Sequence, residues 1–343
     1  NGFPAALTPA LNTTPDAIEL QQRLAQYRQL GAAACAMEVS SHGLAQGRVN
    51  GTCFNVAVLT NLSRDHLDYH GDMESYGAAK ARLFDWPGLE WAVLNTDDAF
   101  GRQLESATRP ARVAGYGFQR GAVVGESLRL SQAGLHLRAR TDWGDAELDA
   151  PLLGRFNAAN LLAVLTTLLV SGAKLDDACQ ALAHITPPPG RMQTLGGKAQ
   201  PLVVVDYAHT PDALEKVLAT LHEIVAGGRL ICVFGCGGNR DKGKRPLMGR
   251  AAAEGADEVW ITSDNPRNED PRHIIDDILA GTGGKPRVEP DRARAIFEAI
   301  GGARCGDVVL IAGKGHEDYQ EVAGERLPFS DVAVALKALG AWT

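Results

Sequence analysis

Two histidines and two aspartates are crowded into the run from Asp65 to His70, directly after an apolar stretch. Imidazole and carboxylate groups at such close spacing can ligate a transition metal, as in a metallohydrolase. Glu38 follows an earlier apolar stretch and adds an oxygen ligand of the kind that suits Mg²⁺ or Mn²⁺ at a phosphate site. The residues leave other interpretations open, because Asp65–His70 could form a polar network with a single ligand and Glu38 could cap a helix.

A glycine-rich, basic loop runs from Gly235 to Arg245. Backbone N–H groups and cations in such a loop can bind an anion. From Gly238 onward it nearly spells the nucleotide phosphate loop G-x-x-x-x-G-K-[ST], but Arg245 replaces the hydroxyl residue that would hold Mg²⁺. The pattern therefore excludes a standard phosphate loop here and leaves an anion site or a surface turn.

The tetrapeptide Asp264–Arg267 places a carboxylate, an amide and a guanidinium around a turn that Pro266 fixes. These groups together suit a zwitterionic amino acid, although a short polar turn has the same composition. Lys80 lies among small residues on a predicted helix, where its composition indicates only a solvated charge.

These residues are spaced along an alternation of helices and strands in the first half of the chain. Helical spacing and apolar runs predict a helix over 16–30, strands over 33–39 and 54–60, a helix over 73–84, a strand over 91–95, an antiparallel excursion over 112–150 and a helix over 156–170. Three prolines within Thr186–Arg191 can continue neither a helix nor a central strand. We therefore place a domain boundary there, with domains over 1–189 and 190–343.

The second half repeats strand and helix four times. We predict strands over 202–206, 230–234, 258–262 and 308–312, and helices over 211–225, 246–253, 273–279 and 292–300. This alternation is typical of an α/β fold with a doubly wound parallel sheet. Polar residues follow each of the four strands, and ligands of such sheets bind outside the carboxyl ends. We expect the four polar segments to face one cleft.

Composition narrows the functional class. The 343 residues are 45% hydrophobic and 22% charged, which excludes a disordered chain. A net charge of −7 has the wrong sign for bulk attraction to nucleic acid or an anionic membrane. The six cysteines lack paired C-x-x-C spacing and fit a cytoplasmic protein, and the longest uncharged stretch, 156–173, is too polar for a membrane span. Residue 1 is Asn, so we expect the sequence to begin partway through a larger protein.

Seven segments in this order resemble the Mur ligases, and among them the branch that adds diaminopimelate. The segments are Met37–Leu44, Thr60–Asp68, Tyr76–Lys80, Gly154–Asn160, Asp206–Asp212, Asp264–Arg267 and Gly313–Tyr319. The resemblance implies an ATPase domain with a central parallel sheet and a Rossmann-like C-terminal domain. It also implies an ATP-dependent, ADP-forming ligase that adds meso-diaminopimelate to UDP-MurNAc-L-Ala-D-Glu through an acyl phosphate, in peptidoglycan precursor synthesis.

The resemblance also assigns residues. It implies that Glu38, His66 and a carbamylated Lys80 are catalytic and hold Mg²⁺. Contacts to the muramoyl substrate fall on Asn12, Thr13, Thr14, Ser40, Gln46 and Arg48, and contacts to ATP fall on Asn157, Asn160, Arg191 and Asp206. The diaminopimelate pocket falls on Arg245, Asp264, Asn265, Pro266, Arg267, Gly313 and Glu317. Arg267 can bind the distal carboxylate of diaminopimelate bidentately, which L-lysine lacks, so we expect selection against lysine.

The sequence departs from the family pattern at its beginning. The family's G-T-[NG]-G-K-[ST] phosphate loop, the first strand of the central sheet and a uridine-binding domain are not found in these residues. We therefore expect an unpaired sheet edge, and poor or no ATP turnover by this polypeptide alone. A fragment that only binds amino acid or nucleotide, and a metal-dependent hydrolase, remain alternatives. We expect a monomer.

Overall fold

The computed structural model of the chain describes residues 12–63, 66–107, 111–225, 227–284 and 286–342. The helices are α1 Ala17–Gln29, α2 Ser41–Ala45, α3 Leu67–His70, α4 Met73–Ala81, α5 Ala99–Ala107, α6 Arg155–Val170, α7 Leu175–Ala183, α8 Pro211–His222, α9 Lys244–Gly255, α10 Pro271–Thr282, α11 Arg292–Gly301 and α12 Asp331–Ala341. In the described part of the chain, no helix has the length and apolar character needed to cross a membrane.

The strands are β1 Val56–Leu59, β2 Trp91–Asn95, β3 Arg112–Gly117, β4 Val123–Ser131, β5 Gly134–Thr141, β6 Gly144–Ala150, β7 Gln193–Gly196, β8 Leu202–Asp206, β9 Leu230–Phe234, β10 Glu258–Ile261, β11 Arg287–Val288, β12 Val308–Ala312, β13 Tyr319–Val322 and β14 Glu325–Pro328. They form two six-stranded sheets, in the orders β1-β2-β3-β4-β5-β6 and β11-β10-β9-β12-β8-β7, and the hairpin β13-β14.

The second sheet is buried on both faces, which explains its nearly continuous apolar strands. Successive side chains of a strand point to opposite faces. Accordingly, Leu202 and Val204 pack with helices α8, α9 and α10, whereas Val203 and Val205 pack with α11 and α12. Strands β8 to β12 pair in parallel and β7 adds an antiparallel edge. The predicted doubly wound sheet is confirmed.

Two helices of this sheet, α8 and α10, begin at well-formed caps. The Thr210 side chain accepts a hydrogen bond from the Ala213 amide, and Pro211 is the first residue of α8. Asp270 and Pro271 repeat the arrangement at α10. A proline costs nothing at this position because the amide it removes has no partner in the helix. These caps fix where the polar segments end and the helices begin.

The first sheet differs from the prediction in two places. The segment 34–40 forms no strand with the described residues, so the strand predicted over 33–39 is wrong. An extended segment becomes a strand only when a neighbour completes its ladder, and β1 lies at the sheet edge with Val58 38% exposed. The segment predicted as an antiparallel excursion over 112–150 begins with parallel pairings, because β3 pairs in parallel with both β2 and β4.

The contacts within the chain divide it into two compact units. The first unit comprises Asn1–Glu126, Arg138–Ala146 and Ala159–Cys179, and the second unit comprises Ser127–Leu137, Glu147–Ala158 and Gln180–Thr343. The domain boundary at 189/190 stays a prediction.

A buried ion pair joins helices α11 and α12 of the second unit. Arg292 donates from Nε and Nη2 to the two carboxylate oxygens of Asp331, at 2.7 and 2.8 Å, and both side chains are 0% exposed. The same guanidinium donates to the carbonyl of Ala312 at 3.0 Å. The pair therefore ties two helix starts to the end of strand β12.

Removing one partner of this pair should unfold the second unit far more easily. Asp331→Ala leaves the Arg292 guanidinium buried without its anion, and we expect a loss of about 3 to 5 kcal/mol in the free energy of unfolding. Denaturant unfolding followed by circular dichroism measures it. Arg294→Ala, which removes an exposed ion pair with Glu298 on the same helix, should cost less than about 1 kcal/mol. Equal losses in the two variants would contradict the structural role.

Candidate active site

Tyr76 lies among three side chains of the candidate catalytic segments in the first unit. Lys80 lies one turn later on α4, on the same helix face, with its Nζ 5.1 Å from the centroid of the Tyr76 ring. The His66 ring centroid is 5.9 Å from that of Tyr76, and the His70 centroid is 5.3 Å away. The buried tyrosine therefore brings His66 and Lys80 to a common neighbour, although His66 precedes α3 and Lys80 lies on α4.

His66 has a left-handed backbone, with φ of 54°. Few residues other than glycine adopt this conformation, although histidine, asparagine and aspartate do so more often than most. It costs free energy and is frequent at functional sites. His42 stacks edge-on against the His66 ring at 4.9 Å and approaches Tyr69 at 4.1 Å. This turn thus collects aromatic and imidazole rings around one exposed histidine.

Four residues predicted to contact the muramoyl substrate are linked by hydrogen bonds. Thr14 Oγ1 donates to the Glu38 carbonyl at 3.0 Å and accepts from the Ser40 amide at 2.9 Å. Arg48 donates to the Thr14 carbonyl at 3.0 Å and to Gln46 Oε1 at 2.8 Å. The structure therefore brings these residues together beside Glu38. Asn12 and Thr13 directly precede Thr14 in the chain.

The donor set near Glu38 fits Mg²⁺ in part. The Glu38 side chain is exposed and its carboxylate has no hydrogen bond or ion pair with the described residues, so its oxygens are available to a cation. Lys80 as an ammonium would repel the ion, and only its carbamate would add oxygen ligands. Within the described ranges, no three His, Cys, Asp or Glu side chains converge in a way that could hold a metal. Asp65 of the candidate cluster lies outside those ranges.

In the second unit, Lys314 is the centre of a buried polar network after strand β12. Its side chain is 0% exposed, and its Nζ donates to Asn265 Oδ1 and to Glu317 Oε2, both at 2.9 Å. Asp264 Oδ1 is 3.7 Å away. Asn265 Nδ2 in turn donates to Glu317 Oε2 at 2.8 Å. One lysine therefore fixes the orientation of an amide and balances two carboxylates.

The charges of these carboxylates follow from burial and from Lys314. Burial raises the pKa of Asp264, although Arg292 and Lys314 act to lower it. Burial also acts to raise the pKa of Glu317, but hydrogen bonds from Lys314 and Asn265 hold it below its ordinary value. Glu317 is therefore an anion at neutral pH, which is the state that can accept hydrogen bonds from an ammonium group.

Arg267 lies at the edge of this network and is held by its backbone. Its φ is 52°, its amide donates to the Glu321 carbonyl at 2.9 Å, and its carbonyl accepts from the Ala323 amide at 2.7 Å. Its Nη1 donates to the Gly238 carbonyl at 2.7 Å. Gly238 has no room for a side chain, since a Cβ there would lie 1.9 Å from the Pro266 carbonyl oxygen. The glycine loop and the Asp264–Arg267 turn are therefore in close contact.

Two further residues of the predicted amino-acid pocket, Gly313 and Arg245, differ in their surroundings. Gly313 has φ of 115°, and a Cβ there would lie 2.7 Å from Asp264 Oδ2. Arg245 is fully buried and its guanidinium donates to Glu269 and Asp277 at 2.8 to 3.0 Å. Its side chain thus ties the glycine loop to helix α10 through two carboxylates.

The residues predicted to contact ATP make mostly internal bonds. Asp206 is buried and accepts from the Met192 and Ala208 amides, both at 2.8 Å. The exposed Arg191 lies over the Tyr207 ring, 4.9 Å from its centroid. On α6, Asn157 donates to the Leu153 carbonyl at 2.9 Å, and Asn160 follows three residues later with an exposed side chain.

Comparison with known protein families accounts for these motifs. Residues 2–168 match the Mur ligase middle domain, and residues 190–315 match the Mur ligase glutamate ligase domain. The chain belongs to the Mur ligase family. Its predicted α/β architecture, with the middle and C-terminal domains of that family, is confirmed with it.

Several relatives of this Mur ligase share a name. UDP-N-acetylmuramoyl-L-alanyl-D-glutamate--2,6-diaminopimelate ligase of Chromobacterium violaceum is 58% identical over 346 residues, which span 100% of this chain and 70% of the relative. The protein of that name from Pseudomonas aeruginosa is 52% identical, over 99% of this chain and 71% of its own length. A solved structure of a ligase so named is 44% identical, with a TM-score of 0.75 over 99% of this chain and 71% of its own.

Sequence reasoning missed two residues that organise the sites of this Mur ligase. Lys314 lies within the Gly313–Tyr319 segment, and its position between two glycines after a buried strand was a usable signal. Tyr76 begins the Tyr76–Lys80 segment, but helical spacing alone gives a tyrosine no role beyond packing. The partners of Lys314 on the Asp264–Arg267 turn are about fifty residues away in sequence, so no local pattern reveals them.

Replacing Lys314 should make stability strongly dependent on pH. In Lys314→Met, Glu317 and Asp264 lose their shared cation, and we expect a loss of about 3 kcal/mol in unfolding free energy at neutral pH. The loss should shrink as the pH falls toward about 4.3, the ordinary glutamate pKa, because protonation then removes the uncompensated charges.

Urea unfolding at several pH values measures this dependence. The wild-type protein should show the opposite trend, because the folded state lowers the pKa of Glu317. This group stabilises the wild type at pH values above the ordinary glutamate pKa, and the stabilisation is lost as the pH falls through the lower pKa of the folded state. Lys337→Met, at an exposed lysine of α12, should change stability by less than about 0.5 kcal/mol. A loss in Lys314→Met that is independent of pH would contradict the charge-balancing role.

Proposed function

We propose that this chain provides the amide-ligase machinery that adds meso-diaminopimelate to UDP-MurNAc-L-Ala-D-Glu with consumption of ATP, in the synthesis of peptidoglycan precursors. The γ-phosphoryl group of ATP passes to the terminal D-glutamate carboxylate and releases ADP. An amine of diaminopimelate then attacks the acyl carbon of the acyl phosphate, and the tetrahedral intermediate expels phosphate as the amide bond forms. The name shared by the relatives supports these substrates.

The network around Lys314 is the observation that carries the proposal. Asp264 and Glu317 offer carboxylates and Asn265 offers an amide around Lys314. Arg267 offers a guanidinium at the edge of this network, and its charge acts to lower the pKa of Glu317. A ligand with separate ammonium and carboxylate groups matches this pattern, because each charge meets its opposite in a partly desolvated site. We infer that Arg267 binds the distal carboxylate and that the acidic side chains bind the ammonium group beside it.

The residues around Tyr76 are proposed to act on phosphoryl transfer. Glu38, His66 and a carbamylated Lys80 would hold Mg²⁺, and the ion would neutralise charge on the transferred phosphoryl group. Carbamylation joins carbon dioxide to the uncharged Nζ amine with loss of one proton, and it turns a cation into an anion. Lys80 is half-buried on α4, and its Nζ lies 5.1 Å from the centroid of the Tyr76 ring, beside the predicted metal ligand His66.

The other assignments remain proposals of the same kind. The muramoyl substrate would lie against Asn12, Thr13, Thr14, Ser40, Gln46 and Arg48, and ATP against Asn157, Asn160, Arg191 and Asp206. In the diaminopimelate pocket, Pro266 and Gly313 would shape the backbone, and Arg245 would act through Glu269 and the glycine loop. We also propose a cytoplasmic monomer with a domain boundary at 189/190. All six cysteines are free, which fits a reducing compartment.

The proposed pocket should select strongly for a distal carboxylate. We expect the chain to bind meso-diaminopimelate at least about a hundredfold more tightly than L-lysine, because lysine leaves Arg267 without an anion. Calorimetric titration of both amino acids measures the ratio. Arg267→Lys should remove most of the preference, since an ammonium cannot form the bidentate pair. Arg272→Lys, at an exposed arginine of α10, should leave it unchanged. Equal affinity for the two amino acids would sink the proposal.

Lys80→Ala should abolish ligation, with partial rescue by formate or acetate, because a small carboxylate can replace the carbamate oxygens. Release of ADP in the presence of ATP, the muramoyl dipeptide substrate and meso-diaminopimelate measures the reaction. Lys174→Ala, at an exposed lysine, is the matched control and should keep full activity. Full activity of Lys80→Ala would refute the role, and diaminopimelate binding without any ADP release by the wild type would favour a binding-only protein.

A further inference from the structure

The guanidinium of Arg267 is shared between a fixed partner and a movable one. Its Nη1 donates to the backbone carbonyl of Gly238 at 2.7 Å. Its Nε lies 3.2 Å from Oε2 of Glu321, a side chain of the hairpin strand β13 that is 27% exposed. Among the described residues, Nη2 has no partner. Nη1 and Nε therefore each face an oxygen atom of the protein, and Nη2 belongs to both edges that a carboxylate can use.

A carboxylate that binds Arg267 bidentately must take both nitrogens of one edge. The edge with Nη1 is bounded by the Gly238 carbonyl, which cannot withdraw because Gly238 packs against Pro266. The edge with Nε is bounded by the Glu321 carboxylate, which can rotate away about its side-chain bonds. A ligand carboxylate on this edge and Glu321 therefore compete for Nε.

The backbone, and not Glu321, sets the position of Arg267. The isolated bridge between Arg267 and Val322, and the two hydrogen bonds that flank it, hold the residue in its left-handed conformation. Since these are main-chain contacts, they persist when the Glu321 side chain is changed. Loss of the Glu321 charge would therefore free the Nε edge without misplacing the arginine.

We propose that Glu321 is a specificity-determining residue that acts as an internal competitor for the carboxylate of the amino-acid substrate. This inference rests on the proposed function of Arg267. Glu321 imposes a cost on every ligand that uses the Nε edge, and it leaves ligands without a distal carboxylate unaffected. It thereby lowers the affinity for diaminopimelate and narrows the preference over L-lysine that Arg267 provides.

The test compares Glu321→Gln with Glu325→Gln in the full chain. Both substitutions remove one negative charge from the same hairpin and keep the side-chain length, but Glu325 is exposed on β14, whereas Arg267 pairs with Glu321 on β13. Titration calorimetry with meso-diaminopimelate gives the affinities. Glu321→Gln should bind about fivefold more tightly than the wild type, as expected for loss of a partly exposed competing ion pair. Glu325→Gln should match the wild type.

A second measurement needs no amino acid. Phenylglyoxal modifies accessible arginines, and peptide mass spectrometry follows the rate at Arg267 alone. Glu321→Gln should raise that rate, and Glu325→Gln should not. Equal or weaker binding of meso-diaminopimelate by Glu321→Gln would overturn the inference, since a residue that contacts the ligand or positions Arg267 gives that result.

Failure of the proposed function has a different signature. If the wild type binds no meso-diaminopimelate and the amino acid does not protect Arg267 from phenylglyoxal, the assignment of the pocket is wrong. Competition at the Nε edge is then judged by labelling alone. A faster rate at Arg267 in Glu321→Gln would preserve the claim that Glu321 blocks this edge, and an unchanged rate would overturn it.

Discussion

The ion pair between Arg292 and Asp331 is the constraint on which the amino-acid site depends. Besides joining two helices, Arg292 donates to the carbonyls of Ala312 and Ser263, at 3.0 and 3.4 Å. Ala312 is the last residue of strand β12, and Ser263 follows the end of strand β10. The two segments that carry the polar network both begin there, so the pair fixes the distance between Lys314 and Asn265. A buried ion pair is an expensive way to gain stability. Here it also sets the geometry of a site.

Backbone conformation supplies a second layer of organisation. Three residues with left-handed backbones, His66, Asn239 and Arg267, lie in the segments that the sequence singles out for chemistry. Each costs free energy relative to an ordinary conformation. At Arg267 the cost is offset by two main-chain hydrogen bonds to the β13-β14 hairpin. The hairpin is half-buried along most of β13 and exposed on β14, and it adds no residue to the apolar clusters of the second sheet. Holding this arginine is therefore its clearest structural contribution.

The bounds of strands that are buried on both faces could be predicted from the sequence. Strands β8, β9 and β12 are short, nearly continuous apolar runs, and their bounds match the prediction. The prediction of a strand over 33–39 was wrong because apolar composition does not reveal whether a neighbouring strand is present.

The β13-β14 hairpin was not predicted because its two strands are only four residues long and carry no apolar alternation. The candidate site, too, could be predicted only in part. The motifs around Asp264 and Glu317 could be recognised in the sequence, and the domain matches confirm the family that these motifs indicate. The burial of Arg245 against Glu269 and Asp277 was not recognisable, because the sequence does not tell which distant acids will face a given arginine.

A crystal structure of the chain with meso-diaminopimelate would test most directly whether the network around Lys314 is the site that selects the amino acid. We predict one carboxylate of the ligand in bidentate contact with Arg267, with the Glu321 side chain rotated away. We also predict the neighbouring ammonium within hydrogen-bonding distance of Glu317. Diaminopimelate bound elsewhere, or bound here with its carboxylate away from Arg267, would contradict this assignment of the site.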